Sequence, residues 1–410
     1  MSEFSQNGII STLHDFGTRS TNEIEKDLLK FSKERKMELI LPCLYSELEG
    51  TALPNIVEEI SKTKYLDHII VGLDRANENQ AKKAWKFFKK LKTSFSILWN
   101  DGPGLKKLDK ELNKNDLAPN ELGKGRNVWY CIGMSIARDT ARSVALHDCD
   151  IKTYDRRMLA KLFYPVVNPL FNFEFCKGYY PRVANNKMNG RVARLLVFPL
   201  LTALEKTIGK SDYLEFMKSF KYPLAGEFSF RRNVLPELRI SSDWGIEVGI
   251  LSEMQRSFSP QNICQVDLAD TYDHKHQDLS ANDAQRGLSR MSLDITKSLI
   301  RKLAIQGEVF NQETFRTLKA TYYRVALDYV ESYRRDAIMN GLDFDTHSEE
   351  QAVELFATNI LEAGKQFLER PLDAPFMPTW SRVVSAVPDI YERLVQAVEE
   401  DYKEFSVRGR

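Results

Sequence analysis

Apolar and polar positions alternate in blocks along residues 37–150. The run MELILPCL (37–44) is apolar almost throughout, which predicts a short buried strand. Residues 52–64 take up a helical period. HIIVGLD (68–74) predicts a second strand, NQAKKAWKFFKKL (79–91) a basic amphipathic helix, and SFSILW (94–99) a third strand. A Gly/Pro break at 101–104 opens a polar, Lys-rich stretch expected to be a loop. GKGRNVWYCIGMSIARDTA (123–141) predicts a helix entered through glycines, and SVALHDCD (143–150) a fourth strand. Alternation of this kind predicts an open, parallel α/β sheet.

The flanking regions read differently. Residues 1–36 form an N-terminal arm with one helix near 22–35. Residues 151–285 are mixed, with strands at 173–183 and 264–272 and a helix at 190–206 that Pro199 must kink or break. The remainder is helical, near 284–305, 312–337, 349–368 and 379–404. The expected organisation is therefore arm 1–36, α/β half 37–150, mixed half 151–285 and helical extension 286–410.

Composition narrows the function classes. At roughly 100–200 residues per domain, 410 residues allow a large domain with an extension. A net charge of +1 argues against a chain-wide nucleic-acid footprint, which needs a basic excess. No apolar stretch approaches the roughly 18 residues of a membrane span, and the N-terminus has no signal-peptide pattern. Five scattered cysteines without a C-x-x-C pair read as free thiols of a reducing cytoplasm.

Candidate chemistry starts at His147-Asp148-Cys149-Asp150. If the strand runs to 150, its period of two projects Asp148 and Asp150 from one side, where a hard divalent cation would relieve their repulsion. Ligands in open α/β sheets bind beyond the carboxyl ends of strands, which fits this location. A solvated acidic turn is the plain alternative. After the strand at 264–272, His274 and His276 form an H-x-H that suits a metal or, for His274, acid–base work, and equally suits a polar surface loop. Gly123-Lys124-Gly125-Arg126 opens a helix, where backbone N–H groups and Lys124 favour a diphosphate. Residues 177–194 carry five cations and no acid, which suits an anionic acceptor with Arg191 as a bidentate fork and equally suits a solvated basic face. Glu227 and Glu247 sit beside glycines, where either could meet sugar hydroxyls.

These residues, in order, resemble the glucosyl-3-phosphoglycerate synthases. L-P-x-L near the start, G-K-G, D-x-D, G-R-V, PLAGEFSFRRNVL (223–235), WGIEVGIL (244–251) and Q-V-D-L followed by a histidine carry the resemblance over roughly 37–300. It implies a retaining glycosyltransferase with a GT-A fold: a Rossmann-like nucleotide-sugar sheet, a mixed acceptor region and the α-helical C-terminal extension. It implies glucose transfer from an NDP-glucose to 3-phosphoglycerate, Mg²⁺ or Mn²⁺, and a homodimer to which the helical tail contributes. Pro42, Leu44, Glu47 and Asp74 match the nucleotide site, and Lys124 the diphosphate lysine. Asp148, Asp150 and His274 match the metal ligands. Gly190, Arg191, Val192 and Ala193 match the acceptor-phosphate loop, with Ala193 replacing a threonine. Glu247 matches a glutamate facing sugar and acceptor, and Leu224 a backbone contact at the reaction centre. Glu227, Trp244 and His276 are further substrate candidates, His276 standing where the family has asparagine and Tyr272 where it has arginine. Mannose as donor sugar, glycerate as acceptor, a sugar nucleotidyltransferase and a non-catalytic nucleotide-sugar-binding protein remain the alternatives.

Overall fold

The computed structural model describes residues 6, 8–119, 121–273, 287–371 and 376–406. A short strand β1 (Ser11–Leu13) and helix α1 (Thr21–Phe31) come first. Ser20 and Glu23 form a reciprocal capping box that fixes where α1 begins. Strand and helix then alternate as β2 (Met37–Leu44), α2 (Ala52–Ser61), β3 (Leu66–Asp74), α3 (Glu78–Phe88) and β4 (Phe95–Trp99). Next come α4 (Pro103–Leu112), α5 (Lys124–Arg138), β5 (Ser143–Leu146), α6 (Arg156–Val167) and β6 (Phe175–Tyr179). A hairpin of β7 (Val183–Ala184) and β8 (Lys187–Met188) precedes α7 (Phe198–Ile208), α8 (Asp212–Ser219), β9 (Phe228–Arg231), α9 (Ile246–Ser257) and β10 (Ile263–Asp267). The rest is helical: α10 (Gly287–Ile305), α11 (Gln312–Met339), α12 (Thr346–Glu369), α13 (Trp380–Ala386) and α14 (Ile390–Asp401).

Among the described residues, eight strands form one sheet in the order β1-β10-β6-β9-β5-β2-β3-β4. All neighbours are parallel except β9, which runs antiparallel between β5 and β6. Side chains alternate across this sheet because a strand has period two. Ile40, Ile70 and Leu98 enter the core on one face, while Leu39, Leu41, Val71 and Ile97 enter the core on the other. The first face is covered by α5, α7, α8 and the C-terminal helices, the second by α1, α2, α3 and α6. Both faces being covered explains why β2 reads as a continuous apolar run. All five cysteines are free and buried, and among the described residues no helix is long and apolar enough to cross a membrane.

Several expectations change. The Lys-rich stretch after the Gly/Pro break is helical, because Leu105, Leu108 and Leu112 recur at helical spacing and are buried while the lysines face outward. The fourth strand ends at Leu146 rather than 150, so Asp148 and Asp150 lie on the loop beyond it. Pro199 does not break its helix. A π-helical turn at Val192–Val197 runs directly into α7, and the Leu195 carbonyl, which the proline cannot serve, accepts from the Tyr322 hydroxyl at 2.6 Å instead. The periodic segment 379–404 is divided into α13 and α14 at Pro388, whose ring pushes Val387 out of helical geometry (φ −134°, ψ 83°). The N-terminal arm is part of the sheet, through pairing of β1 with β10.

Candidate active site

The carboxyl ends of β2, β3 and β5 point to one edge of the sheet, and the candidate residues gather there. Pro42 and Leu44 lie at the end of β2, in register with Gly72 and Asp74 of β3, and Glu47 follows on a 3-10 turn (Tyr45–Glu49). Asp74 is buried; burial pushes its carboxyl up, and Asp101 adds to the shift. Asp101 also accepts the Ala76 N–H at 3.0 Å, tying the ends of β3 and β4 together.

Lys124 occupies the first position of α5. The turn into it requires φ +151° at Gly123, a conformation only glycine takes readily. The Lys124 ammonium sits 2.7 Å from Asp148 Oδ1 and 3.1 Å from Glu247 Oε1. Burial alone would pull its pKa down, but the two carboxylates outweigh that and hold it well above the usual lysine range. Arg126, two residues on, turns away from the site: its guanidinium is buried against Asp109 and the Asn100 carbonyl. Glu247 lies in the first turn of α9, entered through Asp243, whose Oδ1 accepts the Gly245 N–H at 2.8 Å. Trp244, just before it, is 39% exposed, a ring available to a ligand.

Asp148 approaches the backbone of the loop before β9. A Cβ on Gly226 would fall 2.2 Å from Asp148 Oδ2. That loop carries Leu224, which is partly buried against the core. Glu227 is fully buried and does not face a ligand: Oε2 accepts from the Tyr180 hydroxyl at 2.5 Å and Oε1 from the Tyr272 hydroxyl at 2.8 Å. The two tyrosine rings stack at 3.6 Å, 5° from parallel. Burial pushes the Glu227 carboxyl up, Asp148 adds to this, and the tyrosines pull part of it back. Assignment of Glu227 to sugar hydroxyls is therefore corrected. It is a buried acceptor that joins β9 to the segment after β10.

Tyr272 leads to the metal-ligand question. Asp273, the next residue, donates its N–H to Thr153 Oγ1 at 3.2 Å, and its carbonyl accepts from the Lys152 N–H at 2.8 Å. Its carboxylate also pairs with the Lys152 ammonium at 3.0 Å. The chain thus reaches residue 273 directly beside the loop that carries Asp148 and Asp150. His274 and His276 themselves lie outside the described residues. Among the described residues no group of three His, Cys, Asp or Glu is placed to hold a metal ion.

The acceptor loop is joined by groups from far along the chain. Gly190 takes φ +77° ahead of Arg191. Val192 and Ala193 are buried as whole residues behind Arg191. Arg191 donates Nε to Glu349 Oε1 at 2.7 Å and Nη2 to Ser348 Oγ at 2.9 Å, both at the start of α12. Lys177, the first of the five cations of 177–194, is not on an open basic face but in the middle of β6. It is 1% exposed, donates to the Ala225 carbonyl and lies 5.2 Å from the Phe228 ring. Burial pushes its ammonium down to about 8, against the nearby Glu247 and Glu227 carboxylates. The basic stretch 177–194 drew attention to it, but nothing in the sequence marks it as buried.

No protein-family model matches the chain. Glucosyl-3-phosphoglycerate synthase of Persephonella marina is 44% identical over 401 residues, covering 98% of this chain and 99% of that one. The enzyme of the same name from Methanococcoides burtonii is 36% identical over 400 residues, 97% of each chain. Among solved structures, glucosyl-3-phosphoglycerate synthase from Mycobacterium tuberculosis in complex with Mn²⁺, UDP-glucose and phosphoglyceric acid superposes with a TM-score of 0.53 at 20% identity, over 72% of this chain and 88% of that one. Mannosyl-3-phosphoglycerate synthase from Rubrobacter xylanophilus gives a TM-score of 0.54 at 19% identity, over 73% and 83%. At those identities the two structures bear on the fold, and they agree with the GT-A architecture of sheet and covering helices. The near-full-length relatives carry more: the chain belongs to the glucosyl-3-phosphoglycerate synthase family of glycosyltransferases.

Proposed function

We propose that this chain transfers glucose from UDP-glucose to 3-phosphoglycerate with retention, using Mn²⁺ or Mg²⁺ held by Asp148, Asp150 and His274. The observation that carries the reading is the Lys124 ammonium clamped between Asp148 and Glu247 at 2.7 and 3.1 Å. It joins the D-x-D loop, a helix N-terminus and the glutamate matched to the sugar in one cluster. The donor set suits a hard divalent ion, because Asp148 offers oxygen and already attracts a cation. Docking of Asp273 on Lys152 and Thr153 supports His274 as the third ligand. The ion supplies positive charge against the leaving diphosphate.

The protein groups do the remaining work. Lys124 neutralises negative charge as the sugar–phosphate bond breaks. Arg191 grips the acceptor phosphate, and Glu247 accepts hydrogen bonds from sugar or acceptor hydroxyls. The Leu224 backbone borders the reaction centre. Pro42, Leu44, Glu47 and Asp74 line the nucleoside end. The acceptor oxygen bonds to the anomeric carbon on the face the diphosphate leaves, and its proton passes to the departing phosphate oxygen. Holding both reactants in this geometry makes the step effectively intramolecular. In this reading 37–150 binds the donor, 151–285 the acceptor, and the helices beyond 286 complete the acceptor loop. The protein acts in the cytoplasm, which its buried free thiols support, and as a homodimer.

The test is a screen of UDP-glucose, GDP-mannose and other nucleotide sugars against 3-phosphoglycerate and glycerate, with and without a chelator. Turnover of UDP-glucose with 3-phosphoglycerate, lost on chelation, is expected. Undiminished turnover without divalent ions would overturn the metal assignment. Light scattering of the full chain tests the dimer.

A further inference from the structure

The C-terminal helices reach the acceptor loop through one carboxylate. Glu349 is at the start of α12, its side chain 6% exposed. Oε1 accepts from Arg191 Nε at 2.7 Å. Oε2 lies 2.9 Å from Arg194 Nη2, an ion pair without an aligned hydrogen bond. Arg194 in turn donates Nε to the Asn189 carbonyl at 3.0 Å and Nη2 to the Met188 carbonyl at 3.2 Å, and its guanidinium stands 4.9 Å from the centre of the Tyr333 ring. Just ahead of α12, Asp343 donates its N–H to the Asn186 carbonyl at 2.8 Å, so the same region also holds the turn between β7 and β8.

We propose that Glu349 is a positioning residue for acceptor binding: with Ser348 it holds the Arg191 guanidinium by its Nε and Nη2 edge and leaves the Nη1 end turned to the acceptor's phosphate. The proposal rests on the assignment of Arg191 to that phosphate. Four physical points carry it. Arg191 and Arg194 are one turn apart and repel; a single buried carboxylate between them removes the repulsion and fixes both. The Arg191 side chain remains 28% exposed, so part of it is still open to a ligand. Two cations against one carboxylate leave a net positive charge, which suits a phosphate anion. A free arginine loses substantial rotamer entropy on gripping a ligand. Glu349 and Ser348 have already imposed that order. The helical region is thereby part of the acceptor site although it is remote from it in sequence.

The experiment compares Glu349→Gln, Ser348→Ala and Arg191→Ala in the full chain, with KM measured separately for 3-phosphoglycerate and UDP-glucose and the fold checked by circular dichroism. Glu349→Gln should raise the KM for 3-phosphoglycerate about fivefold, and Ser348→Ala about twofold, with the UDP-glucose KM within twofold of the parent. A part that is only structural would not divide the two substrates in this way. Ser348→Ala leaves the ion pairs intact and keeps the test alive if the glutamine variant does not fold. An unchanged or lowered acceptor KM in both variants, while Arg191→Ala raises it, overturns the positioning role alone. An unchanged acceptor KM in Arg191→Ala overturns the assignment of Arg191 itself, and the proposal with it.

Discussion

Gly226 lies so close to Asp148 that a β-carbon there would stand 2.2 Å from Oδ2. No rotamer of a larger residue avoids this, because the clash is with the first side-chain atom. Gly226→Ala therefore forces the carboxylate or the loop to move. Perturbing the support of a metal ligand typically weakens metal binding 10–100-fold. We expect a loss of that order in Mn²⁺ affinity measured with UDP by calorimetry, a similar loss of turnover and a melting temperature close to the parent's. Unaltered Mn²⁺ binding would separate Asp148 from the metal.

The sequence and the structure agree where local pattern and burial coincide. β2 runs over the residues its apolar run predicts, since both faces of a central parallel strand are covered. β9 went unseen: FSFR is four residues long and lies antiparallel between β5 and β6, too short for alternation to show. The two aspartates were found through a strand that ends before reaching them; location at the strand's carboxyl end, not alternation along it, is what brings them into the site. Lys177 looks like a surface cation in one dimension and becomes buried only once β9 and β10 flank β6. Arg191 and Glu349 are 158 positions apart, and no short-range pattern could pair them.

The tail is bound into the core, and Trp380 measures how firmly. Its ring stacks on Trp129 of α5 at 4.2 Å, and each indole N–H finds a carbonyl: Trp380 to Trp129 at 3.0 Å, Trp129 to Pro378 at 2.8 Å. Trp380 is 1% exposed. Trp380→Ala should cost about 3–5 kcal/mol, as aromatic-to-alanine changes in cores do. Urea unfolding at fixed pH reads this. A loss below about 1 kcal/mol would mean the tail detaches from the α/β sheet independently of it.

Lys177 gives a pH dependence with a defined sign. Burial lowers its folded pKa to about 8, from 10.5 when exposed. Between those values the unfolded chain binds more protons, so this group's contribution to stability rises with pH. Below pH 8 the buried charge costs ~3 kcal/mol, the equivalent of that depression. Lys177→Met removes the cost but strands the Ala225 carbonyl, a loss of about 1–3 kcal/mol. The variant should thus be near the parent in stability at pH 7 and fall behind it as pH rises from 8 to 10. Urea unfolding across that range checks it, and parallel curves for the two proteins would show that Lys177 does not titrate there.

Tyr272 holds two things at once, and a single hydroxyl separates them. It donates to the buried Glu227 carboxyl at 2.8 Å, and it stands two residues before His274. Tyr272→Phe keeps the 3.6 Å stack on Tyr180 and removes the hydroxyl that donates to Glu227. Glu227 then retains the Tyr180 hydroxyl alone. Hydrogen bonds to charged groups are worth about 1.5–3 kcal/mol, so a stability loss in that range is expected. With the anchor loosened, Asp273 and the chain that leads to His274 should be less firmly held beside Lys152 and Thr153, and Mn²⁺ affinity should drop several-fold as well. Trp380→Phe serves as the control, since it weakens packing away from the Asp148 loop. If both variants lose stability and both keep the parent's Mn²⁺ affinity, Tyr272 supports the fold and has no part in presenting the histidine.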